Sequence, residues 1–401
     1  MTEWRKRCLG EITSFMSKGI PPKYVERENE NTVRVLNQKC NRNFEINYEE
    51  SRLHDCSKKK VPADKMLQPG DVLINSTGTG TAGRVAQLYD VPTPTTIDGH
   101  MILLRPTEEI DSIYYGYAVK AFQPKIETLA EGSTGQTEIN RKRLQEEIVI
   151  SFPEEKETQE RIARFLLNID EKIKVNGKIN KNLEQQAEAI FQSILSNAVT
   201  TVNLGEIADV KGGKRLPKGV NLIDIQNTHP YIRVRDLNNV LFASLTPDYA
   251  YVDEETQKSI SRYIVSTGDV LISIVGTIGL TAIVDSTLDK ANLTENCVKV
   301  TNLKHITPEY LLLYLRSQLG REAITKGTVG AVQQKLPIKN IQAIPIPLLS
   351  EKDKNTLLCT LDSIFAEISI NVIQSAKLSS LRDTLLPRLM SGELDVSDID
   401  L

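Results

Sequence analysis

Apolar residues across 162–194 advance by alternating steps of four and three: Ile162, Leu166, Ile169 and Ile173, then Leu183, Ala187, Ile190 and Ile194. That is the 3.5-residue period of a helix that turns one continuous seam toward a partner. Two positions inside the seam are polar, Asn176 and Asn180. A second stretch runs in the same phase through Leu357, Leu361, Ile364, Ile368, Leu378, Leu385 and Leu389, with Asn371 and Ser375 where the polar pair falls. The pattern predicts two long helices that carry a polar layer at matched levels. A buried Asn lowers stability but fixes register, so Asn176, Asn180, Asn371 and Ser375 are candidates for setting how the helices align. The competing reading is two amphipathic helices, each packed on its own domain.

Outside the seams the pattern shortens. The runs VRVL, DVLIN and EEIVISF in the first half, and YIRV, DVLISIV and QAIPIPL in the second, are separated by Gly, Pro and Asn. These predict short strands joined by turns. Each half also holds one helical stretch, 111–122 and 307–324, the latter opening with the N-cap and first-turn pair Thr307-Pro308.

The two halves are copies of one unit. A shift of 195 positions carries the first seam onto the second without a gap, and also carries Leu9-Gly10-Glu11-Ile12 onto Leu204-Gly205-Glu206-Ile207, Pro22 onto Pro217, and Gly132 onto Gly327. Self-similarity at a fixed offset is the signature of an internal repeat. The expected architecture is α/β (α+β): a globular domain over 1–152, a long helix over 153–199, a second globular domain over 200–347, and a second long helix with an acidic tail over 348–401. Two copies of one unit suit a two-part target better than a single cleft.

Composition fits an ordered globular protein, with 40% hydrophobic and 25% charged residues in 401. The five cysteines are scattered and form no C-x-x-C, which points away from a disulfide framework or zinc and toward a reduced, cytoplasmic setting. The most apolar run, 270–284, is too short for a membrane span and reads as two core strands about a Gly turn. The N-terminal MTEWRKRCLGE has charge without an apolar stretch behind it, so no cleavable signal is expected. Net charge is −3, which by itself argues against nucleic acid; yet basic residues cluster at 5–7, 58–60, 141–143, 211–218 and 233–235. Local clusters matter more than the total, because charges act within a Debye length of ~10 Å.

Enzymatic motifs fail on inspection. Gly78-Thr79-Gly80-Thr81-Ala82-Gly83 is formally G-x-G-x-x-G, but no long helical pattern follows and the second copy lacks one glycine. There is no phosphate-binding loop ending in Gly-Lys-Ser/Thr, no Asn/Asp-Pro-Pro-aromatic motif of the amino-methyltransferases, and no repeated His–carboxylate or Ser–His arrangement among His54, His100, His229 and His305. The chain reads as non-catalytic on its own, with no metal.

Several stretches together closely resemble the specificity subunit of type I restriction-modification systems. They are W-x-x-x-x-L-G-E-I from Trp4, GDVLI before a Gly-Thr loop at Gly70 and Gly268, an STG-Q or TVG-xxQ loop before a strand and Pro, and LSSLRDTLLPRLMSGEL from Leu378. The resemblance covers essentially the whole chain, and the closing stretch is its most specific element. The first long helix departs from it, ending in IFQSILSN. The resemblance implies two target-recognition domains, each reading one half of a bipartite DNA sequence, and two long helices paired as an antiparallel coiled coil. It also implies two methyltransferase subunits as partners, with restriction/translocase subunits completing the enzyme. S-adenosylmethionine is then expected on the methyltransferase partners and not on this chain.

Within that frame, phosphate contacts from Lys and Arg supply affinity, and short polar side chains on loops supply sequence. The first-domain candidates for DNA contact are Arg34, Asn37, Gln38, Ser76, Thr77, Thr79, Arg84, Ser133, Thr134 and Gln136. In the second domain they are Lys211, Lys214, Arg215, Arg233, Arg235, Asp236, Thr277, Gln333, Gln334 and Lys335. Helices of about 50 Å, at ~1.5 Å per residue, would set the gap between half-sites. The alternative is a coiled-coil scaffold whose two domains bind a ligand other than DNA; salt-independent DNA binding would favour it.

Overall fold

A computed structural model describes residues 3–132, 137–246, 249–331 and 333–394. The chain forms two compact units, residues 1–172 with 377–401, and residues 173–376. The long helices Lys156–Leu195 and Glu351–Ser391 are therefore not segments apart from the domains. Each is divided between the two units.

In the first unit a four-stranded sheet runs in the order Thr13–Lys18, Met101–Pro106, Val72–Asn75, Val85–Gln87, all neighbours antiparallel. A second sheet is ordered Thr95–Ile97, Thr32–Leu36, Arg52–Asp55, Tyr24–Val25, with the first pair parallel. Trp4–Cys8 pairs antiparallel with Val149–Pro153. The helix Ser112–Ala121 is capped by Asp111, whose carboxylate accepts the Ile113 and Tyr114 N–H groups. It packs its buried tyrosines into the core, and the Tyr114 hydroxyl donates to the Ser151 carbonyl at 3.0 Å.

The second unit repeats this plan with changes. Asp209–Gly212, Cys297–Thr301, Val270–Ser273, Thr281–Val284 and Phe242–Ala243 form a five-stranded sheet; Ala250–Tyr251, Pro230–Ile232 and Asn292–Leu293 form a three-stranded one. Ala198–Asn203 pairs with Pro345–Leu349. The stretch 270–284 is two antiparallel strands about a loop, as its glycines imply. The stretch 307–324, expected as one helix, is two: Pro308–Arg316 and Gln318–Gly327. The break falls at Ser317, whose backbone leaves the helical region (ψ 166°) and whose hydroxyl caps the Gly320 N–H at 3.2 Å. A serine that competes for backbone hydrogen bonds restarts the helix instead of continuing it.

The repeated motifs now have physical reasons. In L-G-E-I, Leu9, Ile12, Leu204 and Ile207 are core residues, while Glu11 accepts the Cys8 N–H at 2.7 Å and Glu206 accepts the Asn203 N–H at 3.2 Å. In GDVLI the glycine is left-handed (φ +92° at Gly70, +86° at Gly268), a conformation that L side chains resist. The following Asp71 and Asp269 turn inward, accept the Gln68 and Ser266 N–H groups, and pair with a cation on the neighbouring strand, Arg105 at 2.7 Å and Lys299 at 3.2 Å. Burial pushes the Asp71 carboxyl up from its ordinary value, against the opposing pull of Arg105.

Each core is completed by helix seams. In the first unit Ile162, Ala163 and Leu166 meet Leu386, Leu389 and Met390 within the domain core, and Trp4 and Leu394 pack against the same cluster. In the second, Ala187, Phe191 and Leu195 join Leu357, Leu361, Phe365 and Ile368 in another. The second helix is long and apolar enough to cross a membrane by composition, with mean hydropathy 1.5 over its most apolar window; here its apolar side serves these cores.

Two polar features of the first unit generate measurable consequences. Arg382 lies in the second helix and meets Asp170 at 2.5 Å, both largely buried, while the Tyr117 hydroxyl donates to the other Asp170 oxygen at 2.6 Å. Arg382→Ala leaves a buried carboxylate short of its cation, at a cost of about 3 kcal/mol. The denaturant midpoint should fall accordingly; an unchanged midpoint would show that the pair contributes nothing. The Lys120 ammonium is buried, has no hydrogen-bond acceptor among the described residues, and lies 4.2 Å from the Phe44 ring centroid. Burial pulls its pKa down to about 8, partly opposed by Asp170. The unfolded chain keeps that proton to about pH 10.4. Between the two values the unfolded state binds more protons, so stability should rise with pH from about 8 to about 10, by roughly 2–3 kcal/mol. Lys120→Met should remove that rise, and denaturant titrations of both proteins across the window check it; equal slopes would contradict the assignment.

Candidate nucleic-acid interface

In both domains the Gly-containing loop is gripped on either side by backbone hydrogen bonds. In the first, the Ser76 N–H donates to the His100 carbonyl at 2.8 Å, and the Ser76 carbonyl accepts the Ile139 N–H at 2.7 Å. In the second, the Ile274 N–H donates to the Asn296 carbonyl at 2.8 Å, and the Ile274 carbonyl accepts the Leu336 N–H at 3.0 Å. Three segments are thus laid side by side twice: the loop after the GDVLI strand, the tight turn before the next strand, and the segment before Ile139 or Leu336. The turn itself repeats. Asp98 accepts the His100 N–H at 2.9 Å, and Thr294 accepts the Asn296 N–H at 3.4 Å. Glycine is required beside it in both copies, because a Cβ on Gly19 would meet the Ile97 carbonyl oxygen at 2.1 Å and one on Gly213 the Thr294 carbonyl oxygen at 2.0 Å.

Part of the first-domain candidate set converges on this surface. Gln38 donates its amide to the Thr77 hydroxyl, which lies 3.0 Å from His100 Nδ1. Thr79 is exposed on the loop, and Arg84 closes it by donating to the Gly80 carbonyl at 3.1 Å. The Ser76 side chain is buried, so this residue contributes its backbone. Arg34 and Asn37 are engaged elsewhere: Arg34 with Ser51 and Glu28, Asn37 as the cap of a short 3₁₀ turn and a donor to the Glu50 carbonyl. Ser133, Thr134 and Gln136 lie outside the described residues. No helix follows the G-x-G-x-x-G stretch; the chain goes directly into Val85–Gln87, so the loop lacks the helix N-terminus that a dinucleotide site uses.

In the second domain Thr277, Gln333, Gln334 and Lys335 are exposed on the same pair of segments, joined by a bridge between Val275 and Lys335. Lys214 and Arg215 reach the turn from the other side. The Lys214 N–H bonds the Leu293 carbonyl at 2.8 Å, and the Lys214 ammonium lies 5.4 Å from the Tyr263 ring centroid. Arg215 is 80% exposed and donates to Glu295 at 2.7 Å. Burial alone would raise the Glu295 carboxyl, but Arg215 and nearby donors hold it below its ordinary value. Lys211 pairs with Asp209 on an edge strand. Arg233 and Asp236 bond each other at the start of a 3₁₀ turn, and Arg235 and Asp236 line an open cleft of about 890 Å³ with Glu184, Phe242, Tyr249 and Ile368. Arg235 and Asp236 belong to that cleft, and Arg233 is tied to Asp236 beside it.

The helix-register residues are brought together inside the second unit. Asn176 donates to Gln374 at 2.9 Å and to Ser375 at 3.1 Å; Asn371 donates to Asn180 at 3.0 Å, and Asn180 to the Ile368 carbonyl at 3.4 Å. Partners descend on one helix as they ascend on the other, so the helices run antiparallel there. Gln374, His100, Glu295 and Asn296 are participants that seam period and motif do not single out. Only aligning the turns 98–100 and 294–296 of the repeat would have flagged the last three.

The sequence matches the family described as "Type I restriction modification DNA specificity domain" twice, over residues 1–185 and 197–377. It is 21% identical to the type I restriction enzyme HindI specificity subunit of Haemophilus influenzae, across 98% of this chain and all of that one. It is 22% identical to the EcoBI specificity subunit of Escherichia coli, over 51% of this chain and 41% of that protein. The fold is similar to the crystal structure of a type I restriction-modification S subunit from M. genitalium, with a TM-score of 0.58, 17% identity, and coverage of 97% of this chain and 96% of that one. The chain belongs to the type I restriction-modification DNA specificity subunits, and its two matched stretches carry the two target-recognition domains.

Proposed function

We propose that each domain reads one half of a bipartite double-stranded target through its loop-and-turn surface, and that the long helices set the gap and carry two methyltransferase subunits. Restriction/translocase subunits complete the enzyme, S-adenosylmethionine and the catalytic groups reside on the partners, and the complex works in the cytoplasm. The observation that carries this reading is the doubled backbone frame around Ser76 and Ile274, which presents different polar side chains from the same scaffold. Specific recognition requires that division: a fixed frame for position, and variable side chains for base edges.

Mapping methylated positions after co-expression with the partner methyltransferase subunit should reveal one bipartite sequence. Replacing residues 204–347 with the second domain of another family member should change one half-site and leave the other intact. Loss of both specificities would contradict independent reading.

Arg215→Ala and Lys214→Ala should each weaken binding of the assembled complex to DNA. Each should also reduce the dependence of log K on log salt by roughly one phosphate contact. Titrations at several salt concentrations measure this, and an unchanged slope removes the residue from the phosphate-contacting set.

A further inference from the structure

We propose that His100 and Asn296, at equivalent places in the two domains, are base-reading residues, His100 offering a hydrogen-bond donor and Asn296 a paired donor and acceptor. The inference rests on the DNA-specificity reading and goes beyond it by naming one side chain in each domain and the chemistry it presents.

Equivalence comes from the backbone. Each residue is third in its turn, each gives its carbonyl to the Gly-loop strand, and each has its N–H held by the side chain two residues earlier, Asp98 or Thr294. The frame therefore fixes where both Cα atoms sit while leaving the side chains unconstrained by sheet formation. His100 is exposed and Asn296 half-buried, and polar or basic side chains of the loop surface lie beside each. Gln38 and Thr77 surround His100; Arg215 is bonded to Glu295, the neighbour of Asn296.

The polarity of His100 follows from its partners. The Thr77 hydroxyl oxygen accepts the Gln38 amide and keeps its own proton to give to His100 Nδ1, the arrangement we assign here. A ring that accepts at Nδ1 carries its proton at Nε2. That Nε2–H has no partner among the described residues, and it is the donor offered outward. Purine N7, guanine O6 and thymine O4 are the major-groove acceptors it can meet. Asn296 spends only its backbone on the turn, and its side-chain amide has no hydrogen bond among the described residues. A free carboxamide matches adenine N7 and N6 in a two-bond contact.

The test uses the whole complex. Methylated sequences are mapped for the wild type, His100→Ala and Asn296→Ala, each co-expressed with the methyltransferase subunit. His100→Ala should relax one base pair of the first half-site, with discrimination there falling by roughly tenfold or more, and leave the second half-site unchanged. Asn296→Ala should do the converse at an adenine of the second half-site. An unchanged sequence for both variants overturns the proposal, as does relaxation in the wrong half-site. If a variant marks nothing, its purified complex is titrated against duplexes that each carry one changed pair. Equal affinity for all four bases at one position supports the assignment; discrimination kept at every position overturns it. Should an alanine variant fail to assemble, His100→Asn and Asn296→His place at each turn a residue that the other turn already accommodates. A changed base at one position then supports the proposal and an unchanged sequence overturns it. A wild-type complex that marks no bipartite sequence would count instead against the functional reading itself.

Discussion

Neither globular domain can close its core without the end of a helix that begins in the other repeat. In the first unit, Leu386, Leu389 and Met390 from the end of the second long helix are at most 5% exposed and sit in the same cluster as Leu9, Tyr114 and Phe152. In the second, Phe191 from the end of the first helix is 1% exposed against Leu204, Tyr310 and Ile346. Each such side chain contributes roughly 1.5–3 kcal/mol by leaving water, so losing a helix end costs a domain much of the few kcal/mol by which proteins are stable. Folding of each reading head is thereby tied to a correctly aligned helix pair.

Alignment is a matter of register, and apolar seams specify register weakly, because a slip by one heptad exchanges one leucine layer for another. The Asn176, Asn180, Asn371 and Ser375 layer removes that freedom: only one alignment lets these amides meet each other, and any other buries them against hydrocarbon. Asn176 is fully buried and its side-chain carbonyl oxygen has no partner among the described residues, a local cost consistent with a device kept for alignment and not for stability. Arg382 acts in the same sense in the first unit, where an ion pair to Asp170 replaces an apolar seam residue.

Much of this was legible in the sequence, because it is periodic or repeated. The 3.5-residue step gave both long helices and the level of their polar layer, and the 195-residue offset gave the two domains and their shared L-G-E-I and GDVLI turns. Where local signals compete, legibility ends. The 307–324 stretch has helical apolar spacing throughout, yet a single serine side chain ends one helix and starts another. Basic residues look alike in sequence whether they face solvent or close a turn. Arg34, Arg233 and Arg235 are basic like Arg215, but Arg34 meets Ser51 across the fold, Arg233 is taken up by Asp236 in its own turn, and Arg235 lines a cleft with residues from other elements. His100 has no local signal at all, since its surroundings arise from three segments joined only by backbone bonds.

Under the proposed reading, those backbone bonds also explain how two copies of one unit can read different bases. Main-chain N–H and carbonyl groups are the same in every residue, so the grip of the turn on the Gly loop is indifferent to the side chains it carries. What cannot vary is what shapes the backbone: Gly19 and Gly213 where carbonyls approach, and the inward Asp71 and Asp269 that anchor the loop strand. What can vary is everything the frame displays, and it does vary, from Gly99-His100 to Glu295-Asn296 and from Ser76-Thr77 to Ile274-Val275. A recognition surface built this way can change its chemistry one side chain at a time without disturbing the core beneath it, because the cost of refolding is confined to positions that the reading does not use.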